Sequence, residues 1–153
     1  MRVFVFITLV LGTWCCPNGW IRHDSACYHF SHDLEPWTGA AYMCQAMGGK
    51  LVEIETAAEN AYLTPIVDNL KHDYWIGLTD IQEEGIWMWM DSQVKLSTSG
   101  FSNWHTGEPN NINGNENCVG FQHTTGGKWN DGRCNGELYY ICEKERENDV
   151  VVG

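Results

Sequence analysis

Apolar positions in the first third of the chain indicate a hairpin followed by a helix. A turn over residues 16–20 leads into a strand, and residues 26–30 are its expected partner. Pro36 suits the first position of a helix, and Gly48-Gly49 suits its end. The apolar residues between them recur at helical spacing: Trp37, Ala40, Ala41, Cys44 and Met47.

A second run of apolar residues at helical spacing follows after a polar interval. Thr56 is a suitable N-cap, and Glu59, three residues later, completes a capping box. Pro65 lacks a backbone N–H and is expected to kink the helix or to end its regular part. The expected apolar anchors of this helix are Leu63, Ile66, Val67 and Leu70.

From residue 74 onwards the pattern is that of strands and loops. Residues 74–78 form a strand, and residues 86–90 form another in which Trp87 and Trp89 share one face. The stretch 91–117 is rich in Ser, Gly and Asn, and irregular stretches of this length are uncommon unless they are functional or disordered. Further strands are expected at residues 119–122, 128–131 and 138–144, before a loose tail over residues 145–153.

The N-terminal residues are typical of a segment that is removed. Residues 3–11 form a short apolar run behind Arg2, which indicates a secretory signal peptide over residues 1–14. This run is too short for a membrane span, and no other run is able to cross a bilayer. A buried first strand is the alternative, which the Met-Arg start disfavours. We therefore expect a secreted, extracellular protein of one domain. Three cleavage positions stay open: after Gly12, Trp14 or Cys15.

Cysteine content and charge narrow the class of protein further. Seven cysteines in a secreted chain imply disulfides, although spacing alone does not choose the pairing. The formal net charge is −11, and nothing resembles a basic patch, so nucleic acid and anionic membranes are poor partners. An acidic surface suits a calcium-binding protein, and it equally suits plain solubility.

Oxygen-bearing side chains are concentrated in the loop region before and after residue 117. Hard cations such as calcium are held by six to eight such oxygens. Three carboxylates that crowd together disfavour one another's ionised form unless a cation lies between them. The sequence therefore predicts a calcium site formed by Glu108, Asn110, Glu116, Asn130 and Asp131.

The order of these residues resembles the sugar-binding site of C-type lectins of the mannose type. Glu108-Pro109-Asn110, a Glu eight residues after the first, and Trp129-Asn130-Asp131 carry the resemblance. It extends to a core strand, Trp75-Ile76-Gly77-Leu78, and covers residues 16–144, the expected lectin domain. It implies an α+β fold in which two helices flank antiparallel sheets and a long loop region binds calcium. It also implies three disulfides: Cys16–Cys27, Cys44–Cys142 and Cys118–Cys134.

The resemblance implies a role for each residue of the predicted calcium site. All five would ligate one Ca²⁺, and a cis Pro109 would turn Glu108 and Asn110 toward it. Two neighbouring sugar hydroxyls would then contact the ion, the Asn amides and the Glu carboxylates. The Glu-Pro-Asn order implies mannose, glucose, N-acetylglucosamine or fucose as ligands. Small secreted lectins of this kind suggest innate immune recognition of microbial surface glycans.

A second calcium position is expected to be weaker. Asp80, Glu84 and a shared Glu116 match ligands of the family, but Asn111 and Asn117 stand where carboxylates are common. Neutral ligands lower the charge of the site and therefore its affinity. We expect incomplete occupancy at low calcium.

Cys15 has no partner once the other six cysteines are paired as the resemblance implies. It either leaves with the signal peptide or links two chains into a disulfide-bonded homodimer. A dimer would present two sugar sites, which helps weak sites to hold a repeating glycan.

Two other kinds of function were weighed against a lectin. None of the six His residues belongs to a nucleophile–base arrangement or a His-Glu-x-x-His helix, so we expect no enzyme. His105 and His123 are placed near the site, where an exposed surface role is favoured. The serious alternative is a module of the same fold that binds protein or mineral surfaces. Trp129, beside the predicted ligands, is expected to pack. Six of the eight tryptophans are expected to form the core: Trp20, Trp37, Trp75, Trp87, Trp89 and Trp104.

Overall fold

The computed structural model describes residues 16–145. The predicted signal peptide, Cys15 and residues 146–153 lie outside this range, so their roles stay predictions. The strands are β1 Ile21–His23, β2 Ala26–Phe30, β3 Glu35–Pro36, β4 Lys50–Leu51, β5 Tyr74–Thr79, β6 Met88–Trp89, β7 Cys118–Phe121, β8 Trp129–Gly132 and β9 Glu137–Glu145. The helices are α1 Trp37–Ala46, α2 Ala57–Leu70 and the short α3 Leu96–Ser99, with a 3₁₀ turn at Ile112–Gly114.

The last strand, β9, organises the sheet. Its neighbours are β2, β3, β4 and β5, and the main path of strands is β1-β2-β9-β5-β7-β8. All pairs are antiparallel except β5 with β9, where Tyr74 lies opposite Tyr139. The predicted α+β class is therefore confirmed, although one parallel pair joins sheets that were expected to be antiparallel throughout.

Helix α1 begins one residue later than predicted. Pro36 is the N-cap in an extended conformation and pairs with Glu137 of β9. Gly48 follows the helix with a φ of +75°, a left-handed conformation that glycine adopts without strain. The predicted apolar face packs inward, with Trp37, Ala40 and Cys44 fully buried.

The predicted N-terminus of α2 is confirmed. The Thr56 side chain accepts a hydrogen bond from the backbone N–H of Glu59 at 3.1 Å. The Glu59 carboxylate bonds the N–H of Glu55 at 3.1 Å, one residue earlier than a standard capping box requires.

Two expectations for the C-terminal half of α2 are corrected: the helix does not end at Pro65, and Leu70 is not a core anchor. The helix continues through Pro65 to Leu70. The missing proline N–H deprives the carbonyl of Ala61 of its helical partner, and Ala61 is exposed, so water can serve instead. Leu63 and Val67 are buried anchors, whereas Leu70 is 38% exposed and anchors nothing in the core.

The region after β5 differs from the prediction in two places: one predicted strand is shorter, and the stretch expected to be irregular contains a short helix. Of residues 86–90, only Met88 and Trp89 form a strand, although Trp87 and Trp89 are both buried as predicted. Helix α3 lies inside the stretch 91–117, which was expected to be irregular.

Two apolar clusters form the core. One contains Trp87 and Trp89 together with most of the sheet, and the other surrounds Trp37 and Trp75. Trp20 and Trp104 are half-buried at the margins of these clusters, so they belong to the core only in part. Within residues 16–145, no helix is long and apolar enough to cross a membrane.

The three disulfides are confirmed. Cys16–Cys27 closes the N-terminal hairpin, Cys44–Cys142 ties α1 to β9, and Cys118–Cys134 joins β7 to the turn after β8. The last of these bonds fixes the ends of β7 and β8 against each other. The predicted calcium ligands are located on these strands and on the loop that precedes them.

Candidate functional site

Asp131 anchors the loop that carries the Glu-Pro-Asn motif. It is fully buried on β8, and its two carboxylate oxygens accept the backbone N–H groups of Asn110 at 3.1 Å and Asn111 at 2.7 Å. The Glu108–Pro109 peptide bond is cis, as the resemblance implied. The motif is therefore held directly over the end of the β7–β8 hairpin.

Glu108 and Asn110 face each other across this turn. The Asn110 amide donates to Glu108 Oε1 at 2.8 Å, while Glu108 Oε2 is buried and has no hydrogen-bond partner. Burial, the contact with Asp131 and repulsion from Asp131 and Glu116 raise the pKa of Glu108 to about 7. This carboxyl is thus placed where its charge lacks compensation from protein groups.

Glu116 closes the loop from its other end. Its Oε2 atom accepts the backbone N–H of Ile112 at 2.9 Å, and its own N–H donates to Asn111 Oδ1 at 3.0 Å. Asn130, beside Asp131 on β8, donates its amide to the Asp131 carbonyl at 2.6 Å. All five predicted ligands therefore lie on one loop and the adjoining strand.

The second set of predicted ligands adjoins the first. Asp80 Oδ2 accepts the N–H of Gly85 at 2.8 Å, and Glu84 Oε1 accepts the amide of Asn111 at 2.6 Å. Burial raises the pKa of Asp80, and the charges of Glu84 and Asp131 add to this effect. Asn111 contacts both sets, so the two candidate cation positions share one loop.

Buried side-chain oxygens without hydrogen-bond partners indicate whether these residues fit a cation. Within residues 16–145, four buried side-chain polar atoms lack a partner: Asp80 Oδ1, Glu108 Oε2, Asn117 Oδ1 and Trp89 Nε1. Three of the four are oxygens of predicted calcium ligands. Buried oxygens without a donor are costly, and a cation between them removes that cost.

The predicted calcium ligands include Asn side chains, so a metal site here is not built from His, Cys, Asp and Glu alone. No group of three such side chains in the described part of the chain is arranged to hold a metal ion. The predicted sets combine carboxylates with carboxamides, and amide oxygens are good ligands for calcium and poor ones for zinc or copper. The residues present therefore fit a hard cation.

Sequence reasoning missed a residue that supports the site from behind. Asn60 of α2 is buried; its Oδ1 accepts the indole N–H of Trp129 at 2.9 Å and its amide donates to the carbonyl of Gly127 at 3.2 Å. Trp129 directly precedes Asn130 and Asp131. The available signal was a polar residue three positions before Leu63, on the buried side of an amphipathic helix.

The two histidines that were placed near the site differ in position. His105 is exposed, and its carbonyl accepts the backbone N–H of Glu108 at 3.0 Å. His123 bonds Asp73 at 2.8 Å. Asp73 precedes β5 whereas Asp80 follows it, so His123 lies at the opposite end of the sheet and its placement near the site is wrong. Trp129 is fully buried, which confirms the expectation that it packs.

The fold, the disulfides and this loop together define a carbohydrate-recognition domain of the C-type lectin class. A profile of the family described as "Lectin C-type domain" matches residues 33–144, and the chain belongs to this family. Its members bind carbohydrate and are generally not enzymes.

Particular relatives resemble different extents of the chain. A perlucin-like protein of Mytilus galloprovincialis is 37% identical over 151 residues, which cover 93% of this chain and 94% of the relative. C-type lectin domain family 4 member M of Symphalangus syndactylus is 38% identical over 129 residues, 84% of this chain but only 29% of that protein. The solved carbohydrate-recognition domain of cow CD23, crystallised in the presence of a GlcNAc2Man3 oligosaccharide, has a TM-score of 0.79 and 36% identity, and the match covers 88% of this chain and 98% of that structure.

Proposed function

We propose that this protein is a secreted lectin that binds mannose-type sugars through calcium. Glu108, Asn110, Glu116, Asn130 and Asp131 are the proposed ligands of the principal ion. The observation that carries the proposal is the buried, unpartnered Oε2 atom of Glu108, in a loop that Asp131 holds through the backbone N–H groups of Asn110 and Asn111. A bound calcium ion would offer open coordination positions to two neighbouring hydroxyls of a sugar.

The proposed preference for mannose-type sugars rests on which of the two motif residues accepts a hydrogen bond from the sugar and which donates one. The Glu108 carboxylate accepts from a sugar hydroxyl, and the Asn110 amide donates to the neighbouring one. The Asn110 amide donates to Glu108 Oε1 at 2.8 Å, so the proposed acceptor and donor lie side by side. Adjacent equatorial hydroxyls of mannose, glucose or N-acetylglucosamine suit this order, as do related hydroxyls of fucose.

The weaker second calcium position is proposed at Asp80, Glu84, Asn111, Glu116 and Asn117. Unpartnered oxygens on Asp80 and Asn117 support it. Recognition of microbial glycans in innate immunity is the proposed biological role, by analogy with small single-domain lectins.

Retention on mannan resin tests the proposal. The protein should bind in calcium, elute in EDTA and rebind when calcium is restored. Glu108→Gln should abolish retention, because it removes a charged ligand. Glu137→Gln, the same change at an exposed position of β9, should leave it unaltered. Retention that persists in EDTA would contradict the mechanism.

Free sugars separate the proposal from a module that binds protein or mineral surfaces. Methyl mannoside should elute the bound protein, and methyl galactoside should do so poorly. Equal elution by both sugars would refute the mannose preference while leaving calcium-dependent sugar binding intact. Elution by neither would assign the retention to a surface that does not bind sugar.

A further inference from the structure

The proposed ligands of the principal ion come from separate parts of the chain. Glu108 and Asn110 lie on the loop before β7, whereas Asn130 and Asp131 lie on β8. Metal ligands bind an ion tightly when the residues around them hold them in place. The contacts that join the loop to β8 therefore affect how well the site can bind.

One of these contacts is made by a proposed ligand. Asp131 accepts the backbone N–H groups of Asn110 and Asn111 with its two carboxylate oxygens. A bound ion would use lone pairs of the same carboxylate, so these hydrogen bonds share their acceptor group with the ion. A contact made by a residue that supplies no ligand would hold the loop in the same way with and without the ion.

Such a contact lies where the loop runs beside the first residue of β8. The backbone N–H of Trp129 donates to the carbonyl of Asn103 at 2.9 Å, and the N–H of His105 donates to the carbonyl of Trp129 at 2.8 Å. The carbonyl of His105 in turn accepts the N–H of Glu108 at 3.0 Å. Two backbone hydrogen bonds alone do not set a register, because every residue except proline offers the same donor and acceptor.

The side chain of Asn103 fixes this register. Its amide donates to the carbonyl of Gly127 at 2.6 Å, and its Oδ1 atom accepts Lys128 Nζ at 2.7 Å. An ammonium group only donates, so Lys128 faces the oxygen of Asn103 and leaves the amide to face Gly127. Trp104 packs against Trp129 with ring centroids 6.0 Å apart, and this contact keeps the segment against the core.

On the basis of the proposed calcium site, we infer that Asn103 is a positioning residue that sets the distance between Glu108 and the ligands on β8. Asn103 supplies no ligand and acts through His105, whose carbonyl holds the N–H of Glu108. Lys128 supports this role by orienting the Asn103 side chain.

Terbium binding to the full secreted protein tests this role, because Tb³⁺ is a hard cation that calcium sites accept. Asn103→Ala should bind the first equivalent of Tb³⁺ at least about tenfold more weakly than wild type, the usual effect of losing a residue that supports a metal ligand. Luminescence lifetimes in H₂O and D₂O should also show more water on the ion, because solvent replaces the displaced oxygens of Glu108. Lys128→Met should change both quantities in the same direction. Lys95→Met, the same loss of charge at an exposed position, should change neither.

Val67→Ala separates positioning from a general loss of stability. It removes buried methyl groups from α2 and should lower the unfolding temperature in EDTA at least as much as Asn103→Ala does, without changing Tb³⁺ affinity or the water on the ion. Lys128→Met decides the question if Asn103→Ala does not fold. Equal weakening by Val67→Ala, or wild-type binding by both Asn103→Ala and Lys128→Met, would overturn the role of Asn103 alone. A wild-type protein that takes up no Tb³⁺ would overturn the proposed calcium site as well.

Discussion

Single oxygen atoms would determine how tightly the proposed second calcium position binds its ion. Asn117 has a buried Oδ1 without a partner, while its backbone carbonyl accepts the Thr79 hydroxyl at 2.7 Å and the Asp80 N–H at 3.2 Å. The side chain is therefore held next to Asp80, and its lack of charge would limit the affinity of the proposed second calcium position.

Asn117→Asp should tighten calcium binding at the second position by roughly tenfold, because a carboxylate replaces a neutral ligand. The same change should destabilise the calcium-free protein, since the new charge lies near Asp80 and Glu84. Titration calorimetry with calcium measures the first effect and thermal unfolding in EDTA the second. Asn115→Asp adds the same charge at an exposed position of the loop and should produce neither effect to a comparable extent.

At this scale the sequence predicts candidate ligands, and the structure places these residues on one loop and the adjoining strand. Glu, Asn and Asp supply hard oxygens whatever their surroundings, and their order along the chain survives folding. The way in which Asp131 holds the loop could not be predicted, because it bonds the backbone N–H groups of Asn110 and Asn111. Every residue except proline has a backbone N–H, so a sequence does not show which of these donors a carboxylate will bond.

At the scale of helices and strands, a hydrogen bond between Asn60 and Trp129 joins α2 to β8, the strand that carries two of the proposed ligands. Asn60→Ala should lower the free energy of unfolding by about 2 kcal/mol, because the Trp129 indole N–H would be left buried without its partner, whereas the Gly127 carbonyl keeps its bond from the Asn103 amide. Calcium affinity should fall as well, since Trp129 precedes two proposed ligands. Urea unfolding and calorimetry measure the two effects. Asn69→Ala, an exposed position of the same helix, should change neither by a similar amount.

A buried carboxyl connects β9 to the region around β4 and α2. Glu143 Oε1 accepts the backbone N–H of Glu53 at 3.1 Å and lies 3.5 Å from Lys50 Nζ. Burial raises the pKa of Glu143 to about 8, and repulsion from Glu59 and Glu53 adds to the rise that Lys50 opposes. The folded protein thus keeps a proton here that the unfolded chain, with an ordinary glutamate pKa, releases.

The free energy of unfolding should therefore fall as the pH rises from the ordinary glutamate pKa to about 8. The contribution of Glu143 is fully present below that window and is lost above it. Urea unfolding across this range, compared between wild type and Glu143→Gln, isolates the group, because other titrations are common to both proteins. Parallel curves for the two proteins would contradict the prediction.

Element boundaries were less predictable than element types. The amphipathic pattern identified both long helices, but Pro65 was expected to disrupt α2. The helix tolerates Pro65 because the Ala61 carbonyl, which loses its helical hydrogen bond, is on an exposed residue. Whether a residue is exposed depends on tertiary packing. Residues 86–90 form only a short strand for a related reason. The alternation of apolar residues in this segment reflects the burial of Trp87 and Trp89. Irregular backbone can bury these two side chains as well as a strand can.

For the molecule as a whole, two disulfides differ in how much of the chain they restrain. Cys44–Cys142 spans 98 residues of sequence, and Cys118–Cys134 spans 16. Replacing both cysteines of the longer bond by alanine should cost about 4–5 kcal/mol of stability, against about 3 kcal/mol for the shorter, because the longer bond restricts the unfolded chain more. Urea unfolding at fixed calcium should show this order. A reversed order would indicate that local packing outweighs chain entropy.

The central position of β9 has a consequence for biosynthesis. Four strands from earlier in the chain, β2, β3, β4 and β5, each form hydrogen bonds to β9, which is synthesised after all of them. A ribosome that has released only the first 136 residues has produced helices and hairpins but no strand to join them. The domain therefore completes its fold only after β9 has left the ribosome, and until then its strand edges and unpaired thiols are exposed to whatever chaperones and oxidants surround it.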